Sequence, residues 1–323
     1  MTEINSDSPS LFHSHVFLGE GHQKNERKTW AVIWLCGAMM IAEIIGGMLF
    51  GSIALIADGL HMSTHAGALL LAALAYTYAR KYADNPRFTF GTGKLGDLAG
   101  FSSAIILAMI ALLIGYESIS RFFAPVPIHF AEAIPIACLG LVVNIASAWL
   151  LSGGGHHHHH GHSHGHTDDE HDHEHEHTTQ GLAHRDNNIR AAVIHVVADA
   201  AVSVLVIGGL LLARVFGWLW MDPLAGIIGA CVIASWSYGL VKDTGSILLD
   251  MNPDRLLADS LRQTIESDGD QVGDLHLWRL GPGHLGAILS VSTKAPHDPD
   301  YYRGKLARFR SLSHLTIEVR QTM

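Results

Sequence analysis

Charge is scarce in this chain: Lys, Arg, Asp and Glu make up 16% of its 323 residues, against about 25% in an ordinary soluble domain. Cysteine is scarcer still. Cys36, Cys138 and Cys231 sit in three separate apolar stretches with no CxxC spacing, so they read as small packing residues and exclude a disulfide framework. The chain has no Gly-x-x-x-x-Gly-Lys-Ser/Thr loop, which argues against a nucleoside triphosphate as energy source. No cleavable signal peptide is expected, because the first 29 residues are polar and carry Asp, Glu, His and Lys.

What the chain has in abundance is long apolar runs, with 48% hydrophobic residues overall. Runs of about 20 residues are long enough to cross a bilayer as helices. Six such spans are expected, at 30–50, 53–79, 97–120, 131–151, 190–213 and 222–242. The expected layout is an N-terminal segment (1–29), a six-helix membrane domain (30–243) interrupted by a disordered loop (153–187), and a polar C-terminal domain (250–323). Basic residues flank the spans unevenly. Lys24, Arg27, Lys28, Arg80, Lys81, Arg87, Lys94, Arg185 and Arg190 fall on one side, with only Arg121 and Arg214 near span ends on the other. The positive-inside rule then puts both termini in the cytoplasm of a multi-pass inner (plasma) membrane protein. Nothing in the charge pattern points to nucleic acid.

Histidine is concentrated where the fourth and fifth spans are joined. His156, His157, His158, His159, His160, His162, His164, His166, His171, His173, His175 and His177 are half of the 24 in the chain. Such a tract cannot bury a core, yet its imidazoles and the interleaved carboxylates can gather divalent ions weakly and in many ways. The five-residue His run is internal and continues into a His-Asp-His-Glu alternation, which sets it apart from an affinity tag.

Two further histidine placements lie inside the spans. His195 and Asp199 are four residues apart, as are His61 and His65, and that spacing puts each pair on one helical face. Ionisable groups at hydrocarbon depth are costly, roughly 2.5–3.5 kcal/mol each on insertion scales, which makes them candidates for an ion path. Four ligands from two helices suit a tetrahedral divalent ion, and imidazole favours Zn, Co, Ni or Cu over Mg and Ca. Asp58, three residues before His61, is either an acceptor that fixes a histidine tautomer or a helix-interface residue. Glu43, Asp97, Glu117 and Asn144 read as interface hydrogen bonders, Gly96–Gly100 as a small-xxx-small approach, and Asp222-Pro223 as the opening of the last span.

Ala42–Gly47, Gly51–His65, Phe88–Lys94, Asn188–Asp199, Asp222-Pro223 and Asp274–Trp278 together resemble the cation diffusion facilitator family over nearly the whole length. The resemblance implies six transmembrane helices with a small α+β, ferredoxin-like cytoplasmic domain. It also implies a homodimer in the bilayer that exports a divalent cation in exchange for protons, with no permanently bound cofactor and no enzymatic activity. Zinc exporters of the family usually carry His-x-x-x-Asp on the second helix, whereas here the last position is His65. That exchange, with the wording around Phe12–Gly19, His61–Gly67 and Phe90–Phe101, looks like the cobalt/nickel efflux branch, with zinc close behind. Two rival classes stand beside this reading: a membrane sensor or buffer that binds metal without moving it, and an importer of another family with a cytoplasmic histidine loop, against which the paired four-residue spacings and the C-terminal domain argue.

The tail reads as helix, strand, strand, helix, strand: a helix over 255–266, an alternating strand at 276–280, a turn at Gly281-Pro282-Gly283, and a strand with Ala287, Leu289 and Val291 on one face. A basic helix over 300–312 and a strand at 315–319 follow. His276 is retained from the family's cytoplasmic metal sites. Ser290, Val291, Ser292 and Arg320 stand where further ligands are common, so a metal site there is doubtful, and His284, His297 and His314 read as surface residues.

Overall fold

The computed structural model describes residues 16–18, 21–50, 53–124, 130–152, 186–218 and 220–322; between 53 and 65 it describes the helix backbone but, of the side chains, only Met62. Six long helices come first: α1 (His22–Phe50), α2 (Ile53–Lys81), α3 (Leu95–Phe123), α4 (Phe130–Ser152), α5 (Asn187–Phe216) and α6 (Met221–Leu248). All but α2 contain a stretch long and apolar enough to cross a membrane among their described residues. Helix α2 is also 29 residues long, about 44 Å at 1.5 Å per residue. Leu112, Leu113, Val142 and Trp149 are exposed on these helices, as lipid-facing positions must be in a bundle whose solvent is hydrocarbon.

Helix α5 is the hub, packing against α1, α2, α3, α4 and α6. One buried cluster, with Val32, Cys36, Met62, Leu69, Val143, Leu151, Ala192 and Val196, joins α1, α2, α4 and α5. Another, with Leu107, Ala111, Ala198 and Ile233, joins α5 to the closely packed pair α3 and α6. The small-residue stretch at the start of α3 does what its spacing suggests. A Cβ on Gly100 would stand 3.2 Å from the Asn187 carbonyl oxygen, so the absence of a side chain there lets α5 begin close against α3.

The C-terminal domain follows as α7 (Arg255–Glu266), β1 (Gln271–Gly281), β2 (His284–Thr293), α8 (Pro299–Leu306) and β3 (Leu312–Gln321). The sheet order is β1-β2-β3, antiparallel between β1 and β2 and parallel between β2 and β3. Pro282 and Gly283 turn the hairpin, with Gly283 at φ 83° as its position in the turn requires. Ala287, Leu289 and Val291 are fully buried and meet Leu261, Ile265, Tyr302 and Leu306 of the two helices.

Most elements run a few residues beyond the expected bounds, α6 to Leu248 and β1 from Gln271 among them, and three further boundaries stand out. Helix α1 starts at His22, eight residues before its apolar run. Helix α6 starts at Met221, so Pro223 lies inside the first turn, where its missing N–H would have had no helical partner anyway. Helix α8 ends at Leu306 instead of 312, and β3 begins at Leu312. The domain meets the segments that precede α1 and α3 through close backbone approaches and ring contacts. Phe17 is buried; a Cβ on Gly281 would overlap its carbonyl oxygen, and one on Gly93 would overlap the Leu280 carbonyl. Phe17 faces His284 at 5.5 Å, and Phe90 meets Trp278 and His314, each at 5.6 Å.

Candidate metal centre

Helix α5 opens on Asp186, whose Oδ1 accepts from the backbone N–H groups of Asn188 and Ile189 at 3.1 and 3.4 Å. Two turns further on, Ala191, Ala192, Val196 and Ala198 let the helix sink into the bundle, and His195 goes with it to 2% exposure. Asp199 follows one turn later, its side chain 11% exposed, with Oδ2 3.8 Å from His195 Nε2. That is too long for a hydrogen bond. It is close to the separation of two ligands on one ion, about 3.3 Å for bonds of ~2.05 Å in a tetrahedron.

The turn of α2 that carries His61 and His65 also carries Met62, which is buried in the same cluster as Val196, the neighbour of His195. The side chains of Asp58, His61 and His65 lie outside the described residues, as does the whole histidine tract. Among the described residues no three of His, Cys, Asp and Glu gather in one place.

The other intramembrane polar groups divide by partner. Asp97 accepts a hydrogen bond from Asn187 Nδ2 at 2.8 Å, tying α3 to α5. Glu117 pairs with Arg121 on the exposed face of α3 at 2.6 Å. Cys36 Sγ lies 3.7 Å from Ser147 Oγ. A polar clasp that the local sequence pattern does not announce closes the end of the bundle that bears the C-terminal domain. Asp186 Oδ2 accepts from Tyr76 Oη at 2.6 Å and from Asn25 Nδ2 at 2.9 Å, while Asn188 Nδ2 donates to the Ala72 carbonyl at 2.8 Å. Arg190 binds Asp243 at 2.5 Å, and Lys94 pairs with Asp250. The one local signal was the capping pattern Asp186-Asn187-Asn188.

In the C-terminal domain, His276 is largely exposed and lies 2.9 Å from Asp274 Oδ2. The remaining histidines are not plain surface residues. All three are half-buried: His284 contacts Ser313 Oγ at 2.7 Å, His297 stacks on Tyr301 at 3.9 Å, and His314 meets Phe90.

Long apolar helices that carry a buried imidazole beside a largely covered carboxylate, followed by a small α+β domain, define a polytopic membrane protein. Comparison with known proteins narrows this class. The family described as cation efflux transmembrane domain matches residues 29–249. The chain is 30% identical over 309 residues to the zinc transporter ZitB of Pectobacterium atrosepticum, covering 95% of this chain and 86% of that protein. It is 34% identical over 269 residues to the cadmium, cobalt and zinc/H(+)-K(+) antiporter of Bacillus subtilis, covering 81% and 78%. It is 28% identical over 313 residues to the metal cation efflux system protein CzcD of Cupriavidus metallidurans, covering 93% and 90%. The chain belongs to the cation diffusion facilitator family. It is a multi-pass membrane transporter for efflux of divalent metal cations, not an enzyme.

Proposed function

We propose that this protein exports Co(II), Ni(II) and Zn(II) from the cytoplasm in exchange for protons, the ion being held by His61, His65, His195 and Asp199. The observation that carries the reading is the pair of buried His195 and largely covered Asp199 at 3.8 Å, on the helix that packs against the other five of the bundle. Imidazole must be neutral and carboxylate ionised to bind a metal, so loading releases protons and reprotonation from a more acidic exterior expels the ion. Asp58 orients a histidine of α2 from the same face. The histidine tract raises the local ion supply from the cytoplasmic side without shaping the site.

Three imidazoles and one carboxylate suit cobalt and nickel and disfavour manganese. Zinc fits as well, since the relatives named above are a zinc transporter and an antiporter of cadmium, cobalt and zinc. Both termini are cytoplasmic in this reading, the layout is 1–29, 30–243 and 250–323, and the working unit is a homodimer in the inner membrane. Inside-out vesicles holding the purified protein test it, with Co, Ni, Zn and Mn offered in turn across a pH gradient and internal pH followed by a dye. Uptake of cobalt, nickel and zinc coupled to proton efflux, with manganese excluded, is the expected outcome. Metal binding without uptake would make the protein a buffer or sensor, and uptake of manganese at an equal rate would refute the ligand set.

A further inference from the structure

A cavity of about 760 Å³ opens beside the start of α1 and the end of α2, and His22, Lys24, Arg27, Lys28 and Arg80 line it with no carboxylate among the lining residues. Lys24 and Lys28 are one helical turn apart and repel each other. Lys28 donates to the Leu151 carbonyl at 3.0 Å, and Arg80 shares its guanidinium with Glu26 at 3.1 Å while staying about half exposed. Lys24 and Arg27 are exposed. A second cavity, about 390 Å³, shares Gln23, Arg27 and Arg80 with the first, is lined also by Glu26, whose carboxylate is the one paired with Arg80, and continues along α1 past Trp30 and Ala31 to Trp34.

Gln23, Arg27, Trp30 and Trp34 follow the spacing i, i+4, i+7, i+11, which is one stripe of a helix. Arg27 and Trp34 are about 10 Å apart along the axis. Trp34 is 75% exposed on a helix apolar enough to span the membrane, so its indole lies against lipid. The stripe thus offers concentrated positive charge at the membrane surface and a broad apolar ring just below it.

We propose that this stripe is a binding site for one anionic phospholipid, with its phosphate held by Lys24, Arg27 and Arg80 and its first acyl methylenes laid on Trp30 and Trp34. An arginine fork grips phosphate oxygens two at a time, and basic pockets at helix ends on one membrane face hold lipid head groups. A free phosphate would use the cations and leave the tryptophans idle; a neutral lipid would use the tryptophans and leave the cations unsatisfied. The site stands apart from the metal ligands, so it exists whether or not the transport reading holds.

The test uses the full-length, metal-free protein in phosphatidylcholine vesicles containing phosphatidylglycerol with brominated acyl chains, which quench nearby tryptophan. Quenching should exceed that by brominated phosphatidylcholine at the same fraction. Lys24→Gln with Arg27→Gln should lower the phosphatidylglycerol preference on the order of tenfold, whereas Arg27→Lys should keep most of it. The excess should vanish when Trp30 and Trp34 are both replaced by Phe, and should resist millimolar inorganic phosphate. An excess unchanged in the double Gln variant, retained without the two tryptophans, or abolished by inorganic phosphate would each overturn the proposal.

Discussion

In the C-terminal domain the sheet turns Ala287, Leu289 and Val291 inward and keeps the Asp274–His276 pair in water, whereas the membrane bundle leaves Leu112, Leu113 and Trp149 outside and encloses His195, Asp97 and Asn188. One chain thus obeys opposite burial rules in its two halves, because its two solvents differ. In water, hiding apolar surface is the driving force and a buried charge is a liability. In hydrocarbon, apolar surface gains nothing by association, so helices meet through small residues and paired polar groups. The same His–Asp chemistry is therefore a surface pairing near the sheet and a candidate for function at α5.

The contrast breaks most completely if Asp199 is neutralised. Asp199→Asn keeps shape and packing but removes the carboxylate 3.8 Å from His195. Metal flux into inverted vesicles should fall by more than the ~10–100-fold typical of losing a group one step from a metal, while Asp274→Asn in the C-terminal domain leaves flux unchanged. Equal flux in the Asp199→Asn protein would place the ion elsewhere.

His65→Asp should sharpen the comparison by altering selectivity and not just rate. Exchanging a neutral nitrogen for a charged oxygen should move the cobalt-to-zinc flux ratio toward zinc by about tenfold, roughly 1.4 kcal/mol of preference. Expression must be matched first, since a second carboxylate in a span carries an insertion cost. Unchanged ratios among cobalt, zinc and manganese would remove His65 from the site.

Where the two halves touch, Gly281→Ala should cost about 1–3 kcal/mol of overpacking, since the new methyl overlaps the Phe17 carbonyl. Faster protease cleavage between the membrane helices and the domain is the readout, and cleavage at the wild-type rate would show that the junction yields without cost.

Tyr302 should give the smallest effect. Its Oη donates to Asp270 Oδ2 at 2.7 Å within the domain core. Burial, then that bond, pushes its phenol from the usual 10 up to about 12. The folded state holds the proton more tightly than the unfolded one, so stability is full below pH ~10 and is lost as pH rises toward ~12. Tyr302→Phe should abolish this slope and cost about 1 kcal/mol at neutral pH, the net worth of the hydrogen bond that Asp270 loses. Identical alkaline unfolding of the two proteins would disprove the assignment.

What could be read from sequence divides along the same line. Local pattern sufficed for the spans, for the inward face at Ala287, Leu289 and Val291, and for the spacing of His195 and Asp199, because helix and strand periods are local. It failed at helix ends. Asp222-Pro223 looks like a helix start, but α6 begins at Met221 because a proline is tolerated anywhere in a first turn. The basic run beyond Leu306 reads as helix, yet it serves as the connection that brings β3 alongside β2. The Asp186 clasp was invisible because Tyr76 and Asn25 lie 110 and 161 residues away, and nothing local announces a partner at that distance. Half-burial of His284 and His314 is hidden from local pattern for the same reason, their neighbours being Phe17 and Phe90.

The backbone contact of Phe17 with Gly93 and Gly281 also orders the making of the protein in time. A ribosome releases residue 17 before any helix of the bundle is complete, and residue 281 only after all six have been made. The notch that receives Phe17 has one wall from the loop before α3 and another from the β1–β2 hairpin, so it cannot exist until translation is nearly done. Seating of this segment is a late event in biogenesis. A product that stops short of the hairpin keeps the segment unlatched, and an unlatched terminus is where proteases begin.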